Sequence, residues 1–203
     1  MSDESTSLSL LQRARNNIPE AWQRLLFLYG PLVECWCRQW GARTADVEDI
    51  RQDVFSAVAS ALPNFRRDRK GDSFRGWLRV IARNKFLDFC RRQQRAPEAE
   101  GGSGAHWNLQ QVPEPIDVDV DDDDGDPPEE ISGLHQRALE LVRSQFEQKT
   151  WQAFYLSAVD GQSPADVAAA LGTTPANVRK AKSRVLHRLR QELGELLDEP
   201  SAS

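Results

Sequence analysis

The sequence predicts an all-α protein: two small helical domains joined by a disordered acidic linker. Three observations predict it. Apolar residues recur at helical spacing on both sides of the chain's middle, and no stretch alternates apolar and polar residues as a half-buried strand would. The middle itself, Ala96 to Gly133, holds no lysine or arginine and 12 acids, a charge of -12. Opposite charge flanks it: Phe65 to Arg95 has 11 basic residues against three acids (+8), and Pro175 to Arg190 has six and no acid (+6). The net charge of -5 over 203 residues therefore conceals two basic modules.

The first module, residues 1–93, reads as helices throughout. Leu8, Leu11, Trp22, Leu25, Leu26 and Tyr29 recur at helical spacing, with a break expected near Pro19. Pro31 suits the first turn of a further helix that Gly41 ends. Thr44 is the expected N-cap of the next, whose stripe is Val47, Ile50, Val54, Val58 and Leu62. Pro63 stops it. Ser73 then caps a helix with Phe74, Trp77, Leu78, Ile81 and Ala82 inward, running on through Phe86 and Phe89.

Residues 94–131 form the linker. Gly101-Gly102-Ser103-Gly104, Asp121 to Asp124 and Pro127-Pro128 bury too little apolar surface to offset the entropy of ordering. The second module, residues 132–198, is expected to hold helices at about Leu134–Glu147, Trp151–Val159, Pro164–Leu171 and Pro175–Leu197. Ser163-Pro164-Ala165-Asp166 is a helix start, with a hydroxyl cap, proline in the first turn and an acid three residues after the cap. Thr174-Pro175 repeats the device. Between them Gly172 supplies the left-handed residue a short turn requires, Ala168 allows close helix crossing, and Val178 packs back. This spacing is that of a helix-turn-helix.

In the last helix Val178, Ala181, Val185 and Leu189 face the core. Thr174 at its start, and Asn177, Arg179, Lys180, Lys182, Ser183 and Arg184 off that stripe, are the expected DNA-facing residues. Arginine and lysine suit phosphates, whereas arginine, asparagine and serine also read base edges. In the first module, Arg66, Arg67, Arg69, Lys70, Arg75, Arg79, Arg83, Lys85, Arg91 and Arg92 are interleaved with Phe65, Phe74, Trp77, Phe86 and Phe89. Cations that track a backbone beside aromatic faces that stack on bases suit single-stranded or melting DNA. Glu48, Asp49, Gln52 and Asp53 form an acidic edge, which would repel DNA and suits a basic protein surface.

Several ordered motifs together resemble the extracytoplasmic-function sigma factor family of RNA polymerase. They are Val47-Glu48-Asp49-Ile50-Arg51-Gln52-Asp53-Val54-Phe55, Phe74-Arg75-Gly76-Trp77-Leu78, Ile81-Ala82-Arg83-Asn84-Lys85 and Asp88-Phe89-Cys90-Arg91-Arg92 in the first module. The second adds Thr150-Trp151-Gln152-Ala153-Phe154 and Ala181 to Arg190. The resemblance implies that Asp49, Gln52 and Asp53 dock core RNA polymerase. It implies that residues 64–72, with Arg83, Asn84, Lys85, Asp88, Arg91 and Arg92, open and read the minus-ten promoter element. The helix from Pro175 would read the minus-thirty-five element. An anti-sigma protein is a further candidate partner. Lys182 departs from the family, standing where many members carry an apolar residue, and the linker is long and unusually acidic.

Two other readings are weaker. A conventional helix-turn-helix regulator has no use for the acidic edge, and a helical scaffold or RNA-binding module leaves the paired caps around Gly172 unexplained. No nucleophile–base set, metal cluster or glycine-rich phosphate loop is present, so no enzyme activity, cofactor, metal or small-molecule substrate is expected. Three cysteines do not make a disulfide framework. No apolar run approaches a membrane span and the first residues are polar, so a cytoplasmic protein with no membrane partner is expected.

Overall fold

A computed structural model describes residues 9–66, 73–95, 126–194 and 196. The expected disordered linker, residues 94–131, lies largely outside the described residues, but both its ends are helical: Gln94 and Arg95 close the helix Phe74–Arg95, and Pro128 to Ile131 open the helix Pro128–Arg143, whose early start is set by Pro128 in its first turn. Among those described, all regular structure is helical. Eight α-helices follow one another: α1 (Leu10–Arg15), α2 (Pro19–Gln39), α3 (Thr44–Ala61), α4 (Phe74–Arg95), α5 (Pro128–Arg143), α6 (Gln148–Ala158), α7 (Pro164–Leu171) and α8 (Pro175–Leu193), with a 3-10 turn at Leu62–Asn64 after α3.

Local chemistry sets most boundaries. Ser9 and Gln12 form a reciprocal capping box at the start of α1. Asn17, with φ 54°, turns the chain into α2, and Gly41, with φ 96°, turns it out again. Ser73 Oγ accepts from the Gly76 N–H at 2.9 Å and starts α4 as expected. Two further expectations fail. Pro31 lies inside α2 instead of opening a new helix. Its missing N–H frees one carbonyl in the preceding turn, but Leu28, Tyr29, Leu32, Val33 and Trp36 continue one buried face across it. Burying that face outweighs the helix-breaking cost. Thr44 is the first helical residue, not the cap; Arg43 occupies the cap position, makes no capping bond to the backbone, and donates instead to the Asp46 carboxylate at 2.7 Å.

The α3 stripe is buried as the spacing requires: Val47, Ile50, Val54, Val58 and Leu62 all face inward. It packs against α2 and α4, whose Leu25, Trp36, Phe74, Leu78, Ala82 and Phe86 complete the core of the first module. That core does not stop at the linker. α5 lies along α2, and the end of α8 reaches α1. Leu134, Ala138, Val142, Val185, Leu189, Leu193 and Leu196 belong to the same continuous apolar cluster. A second, small cluster of Ala153, Val167, Ala168, Val178 and Ala181 holds α6, α7 and α8 together.

Candidate functional site

The turn between α7 and α8 is built as its sequence dictates. Ser163 Oγ accepts from the Asp166 N–H at 3.2 Å and donates to the Asp166 carboxylate at 2.6 Å. Thr174 Oγ1 accepts from the Asn177 N–H at 3.2 Å. Gly172 has φ 58° and ψ 49°, and its N–H donates to the Ala168 carbonyl, as does that of Thr173 at 2.9 Å. With Ala168 and Val178 buried in the small cluster, α8 is held against α7 with its opposite face to solvent. Thr174, Asn177, Arg179, Lys180, Lys182, Ser183 and Arg184 are all exposed on it. Among the described residues, Arg179, Lys180, Lys182 and Arg184 make no ion pair. Asn177 Nδ2 donates to Thr173 Oγ1 at 3.2 Å, which sets the amide's orientation.

The first module divides its basic residues by environment. Asn64 and Arg66 are exposed beside the 3-10 turn, and Arg66 donates to the Pro63 and Phe65 carbonyls. Arg67, Arg69 and Lys70 lie outside the described residues. Asn84, Asp88 and Arg91 are exposed along α4, the last two paired at 3.2 Å, and Lys85 is half-buried. Arg83 lies over the Trp40 ring at 5.1 Å from its centroid. Phe65, Phe74 and Trp77 form one cluster with ring centroids 4.7–5.7 Å apart. Phe65 and Phe74 are buried, whereas Trp77 and Phe89 are half-buried.

The acidic edge stands on α3. Glu48, Asp49 and Gln52 are exposed. Glu48 is held below the ordinary carboxylate range by its bond to Arg51, at 2.6 Å, and then by Gln52. Asp53 pairs with Arg92 of α4 at 2.6 Å, and Arg92 also lies 6.0 Å from the Phe89 ring centroid. A shallow groove of about 440 Å³ is lined by Asp49, Gln52, Asp53, Phe89, Arg92 and Gln93. The structure thus joins Asp49, Gln52 and Asp53 of the acidic edge to Arg92 of the basic set. It leaves the exposed face of α8 as a separate surface on the other module.

Sequence reasoning missed a set of residues on the seam between the modules. Asp126, only 8% exposed at its side chain, accepts from Trp36 Nε1 at 2.7 Å and pairs with Arg75 at 3.2 Å and Arg79 at 3.4 Å. Glu192, with 6% side-chain exposure, is met by Arg13, Arg24 and Arg188. Both acids read as ordinary solvated charges, because their partners are far away in the chain. Among the described residues no group of three or more His, Cys, Asp or Glu is placed to hold a metal, and no helix is long and apolar enough to cross a membrane.

The family model described as Sigma-70 region 2 matches residues 26–96, which run from within α2 to the end of α4. RNA polymerase sigma factor NccH of Alcaligenes xylosoxydans xylosoxydans is 35% identical over 94 residues, 46% of this chain and 49% of its own length. ECF RNA polymerase sigma factor SigD of Mycobacterium tuberculosis is 31% identical over 182 residues, 85% of this chain and 77% of its own. The chain belongs to the extracytoplasmic-function (ECF) sigma factor family of RNA polymerase. It spans about half the length of NccH and of CnrH, but most of SigD. Among solved structures, CnrH in complex with the cytosolic domain of CnrY overlaps 89% of this chain and 92% of that one, at 22% identity and a TM-score of 0.36. So loose an overlap says nothing of how the modules are arranged.

Proposed function

We propose that this protein is a promoter-recognition subunit: it binds core RNA polymerase in the cytoplasm, directs it to particular promoters and catalyses no reaction itself. The observation that carries the reading is the exposed face of α8. It presents four cations that make no ion pair among the described residues, together with Asn177 and Ser183, on a helix fixed by two hydroxyl caps and a left-handed glycine. That face reads the minus-thirty-five element in the major groove, with Asn177, Lys180 and Arg184 toward base edges and the other cations on phosphates. Asn64, Arg66, Asn84, Lys85, Asp88 and Arg91, with Arg67, Arg69 and Lys70 of the intervening loop, form the minus-ten reader. Arg83 and Arg92 support it from positions already engaged with Trp40 and Asp53.

Glu48, Asp49, Gln52 and Asp53 form the polymerase-docking edge, whose charge suits a basic partner surface. An anti-sigma protein is a further proposed partner, as the resemblance to the family implies. The test is co-purification with core polymerase. Replacing Asp49 and Asp53 together by Lys abolishes the association while the helical content stays unchanged. Association that survives the double replacement rules out this edge as the dock. On the second module, Arg184→Ala weakens binding to the upstream element by about 1–3 kcal/mol on the cognate sequence alone. An equal loss on every sequence would make Arg184 a phosphate contact.

A further inference from the structure

Asn177 is the third residue of α8, on the exposed face that carries the upstream reader. Its carboxamide differs from the other polar groups there. Lys180, Lys182 and Arg184 end long, flexible stems, and the Ser183 hydroxyl rotates to suit a donor or an acceptor. The Asn177 amide is planar, short and already held, with Nδ2 donating to Thr173 Oγ1 at 3.2 Å.

Thr173 is a fixed point. It is half-buried and follows the left-handed Gly172, and its N–H donates to the Ala168 carbonyl at 2.9 Å. The next residue, Thr174, caps α8 by accepting from the Asn177 N–H at 3.2 Å. Two consecutive hydroxyls of the turn thus hold one asparagine, one at its backbone and one at its amide. The cap alone accounts for the helix start. The second bond joins exposed groups that water could satisfy about as well, so it does little for the fold. What it does is orient the amide.

The end of α8 is also shaped for close approach. Pro175 and Ala176 are exposed and short, so nothing long stands between the helix end and a base edge. Helices that follow such a turn touch bases through their first residues, and no acid between Pro175 and Arg190 opposes the phosphates.

An oriented amide carries base identity. Its nitrogen has two hydrogens, and Oδ1 only accepts. With one hydrogen given back to the turn, the outer edge presents an acceptor beside a donor. Adenine complements that edge, because N6 donates and N7 accepts. Guanine offers two acceptors, thymine an acceptor and a methyl, and cytosine a donor alone, so each leaves half of the edge unmatched. Reading guanine or thymine would require the amide to turn over, which breaks the bond to Thr173.

We propose that Asn177 is a specificity-determining residue that reads one adenine of the upstream element through Oδ1 and Nδ2. Thr173 is the positioning residue that holds the amide for this base. The assignment rests on the promoter reading given above, and the experiment separates the two.

Full-length protein assembled with core RNA polymerase selects from duplexes randomised across the upstream element. Wild type is expected to favour adenine at one position by about tenfold or more. Asn177→Ala is expected to lose that preference and keep every other, which also reports that α8 is folded. Asn177→Asp, whose carboxylate only accepts, is expected to turn the same position to cytosine. Thr173→Val, which keeps the shape and removes the hydroxyl, is expected to relax the adenine preference about fivefold at that position alone. Thr173→Ser is expected to restore it. Unchanged preferences in Asn177→Ala overturn the assignment. So does a preference lost at a position where wild type selects guanine, cytosine or thymine. If Asn177→Ala flattens every position, Asn177→Asp decides: cytosine in place of adenine supports the assignment, and any other result overturns it. A Thr173→Val protein that discriminates like wild type overturns the positioning role. Wild type that selects no sequence at all sinks the promoter reading itself, whereas selection that ignores Asn177 sinks the adenine assignment alone.

Discussion

At the scale of single residues, burial and backbone geometry set the effects. Cys37 lies in the core of α2, and desolvation pushes its thiol from about 9.0 up to about 12. A raised pKa in the folded state means that the fold holds its proton more tightly than the unfolded chain does. Its contribution to stability is therefore complete below pH 9 and is lost as pH rises from 9 toward 12. Burial also raises Cys35 and Cys90, which are only half-buried. At pH 8 a thiolate-selective reagent should label Cys37 only after denaturant is added, and mass spectrometry of the labelled peptides checks this. Gly172 is a purer backbone case. A Cβ there would meet nothing within 4 Å, so Gly172→Ala is disfavoured by its φ of 58° alone. A loss of about 1–2 kcal/mol in chemical denaturation is expected.

Elements show where local rules suffice and where they do not. α2 carries Pro31 mid-helix because its buried face holds the turn together. Pro31→Ala restores a helical N–H but loosens the unfolded chain, so a net gain of about 1–2 kcal/mol is expected in thermal or denaturant unfolding. Thr174→Ala removes the cap of α8 and should cost about 1 kcal/mol of stability, read from the same curves. The helix-turn-helix was fully legible in the sequence, because each determinant lies within a few residues of the group it serves: Ser163 of Asp166, Thr174 of Asn177, Gly172 of Ala168. The α3 stripe was legible for the same reason. The proline of α2 was misread because tertiary burial, which decides it, leaves no local mark. Thr44 was misread as a cap because a hydroxyl at a helix start does not by itself show whether it sits outside the first turn or within it. The acidic edge was visible as composition, but its junction with α4 through Asp53 and Arg92 spans 39 residues and no spacing rule reaches it.

At the scale of the whole molecule the joint core makes the modules thermodynamically coupled. Loss of α5 from α2 exposes apolar surface on both sides at once, so wild-type unfolding is expected to be a single cooperative transition. Glu192→Lys should split it into two. Tryptophan fluorescence is weighted toward the first module, where Trp22, Trp36, Trp40 and Trp77 lie, with Trp151 in the second. Far-ultraviolet circular dichroism reports all the helices. Coincident curves for wild type and separated curves for the variant are the expected pattern; separated curves for wild type would show that the seam contributes little to stability.

The reach of Glu192 back to Arg13 also orders events in time. The first module is complete once Arg95 has been made, but the residue that clasps α1 comes 97 positions later. At about 5–20 residues per second a ribosome needs about 5–20 s to cover that distance. In the second half of that interval α5 can already lie along α2, but α1 has yet to meet the acid that clasps it. Each molecule thus passes once, at birth, through a state in which Arg13 has no carboxylate from α8 to meet.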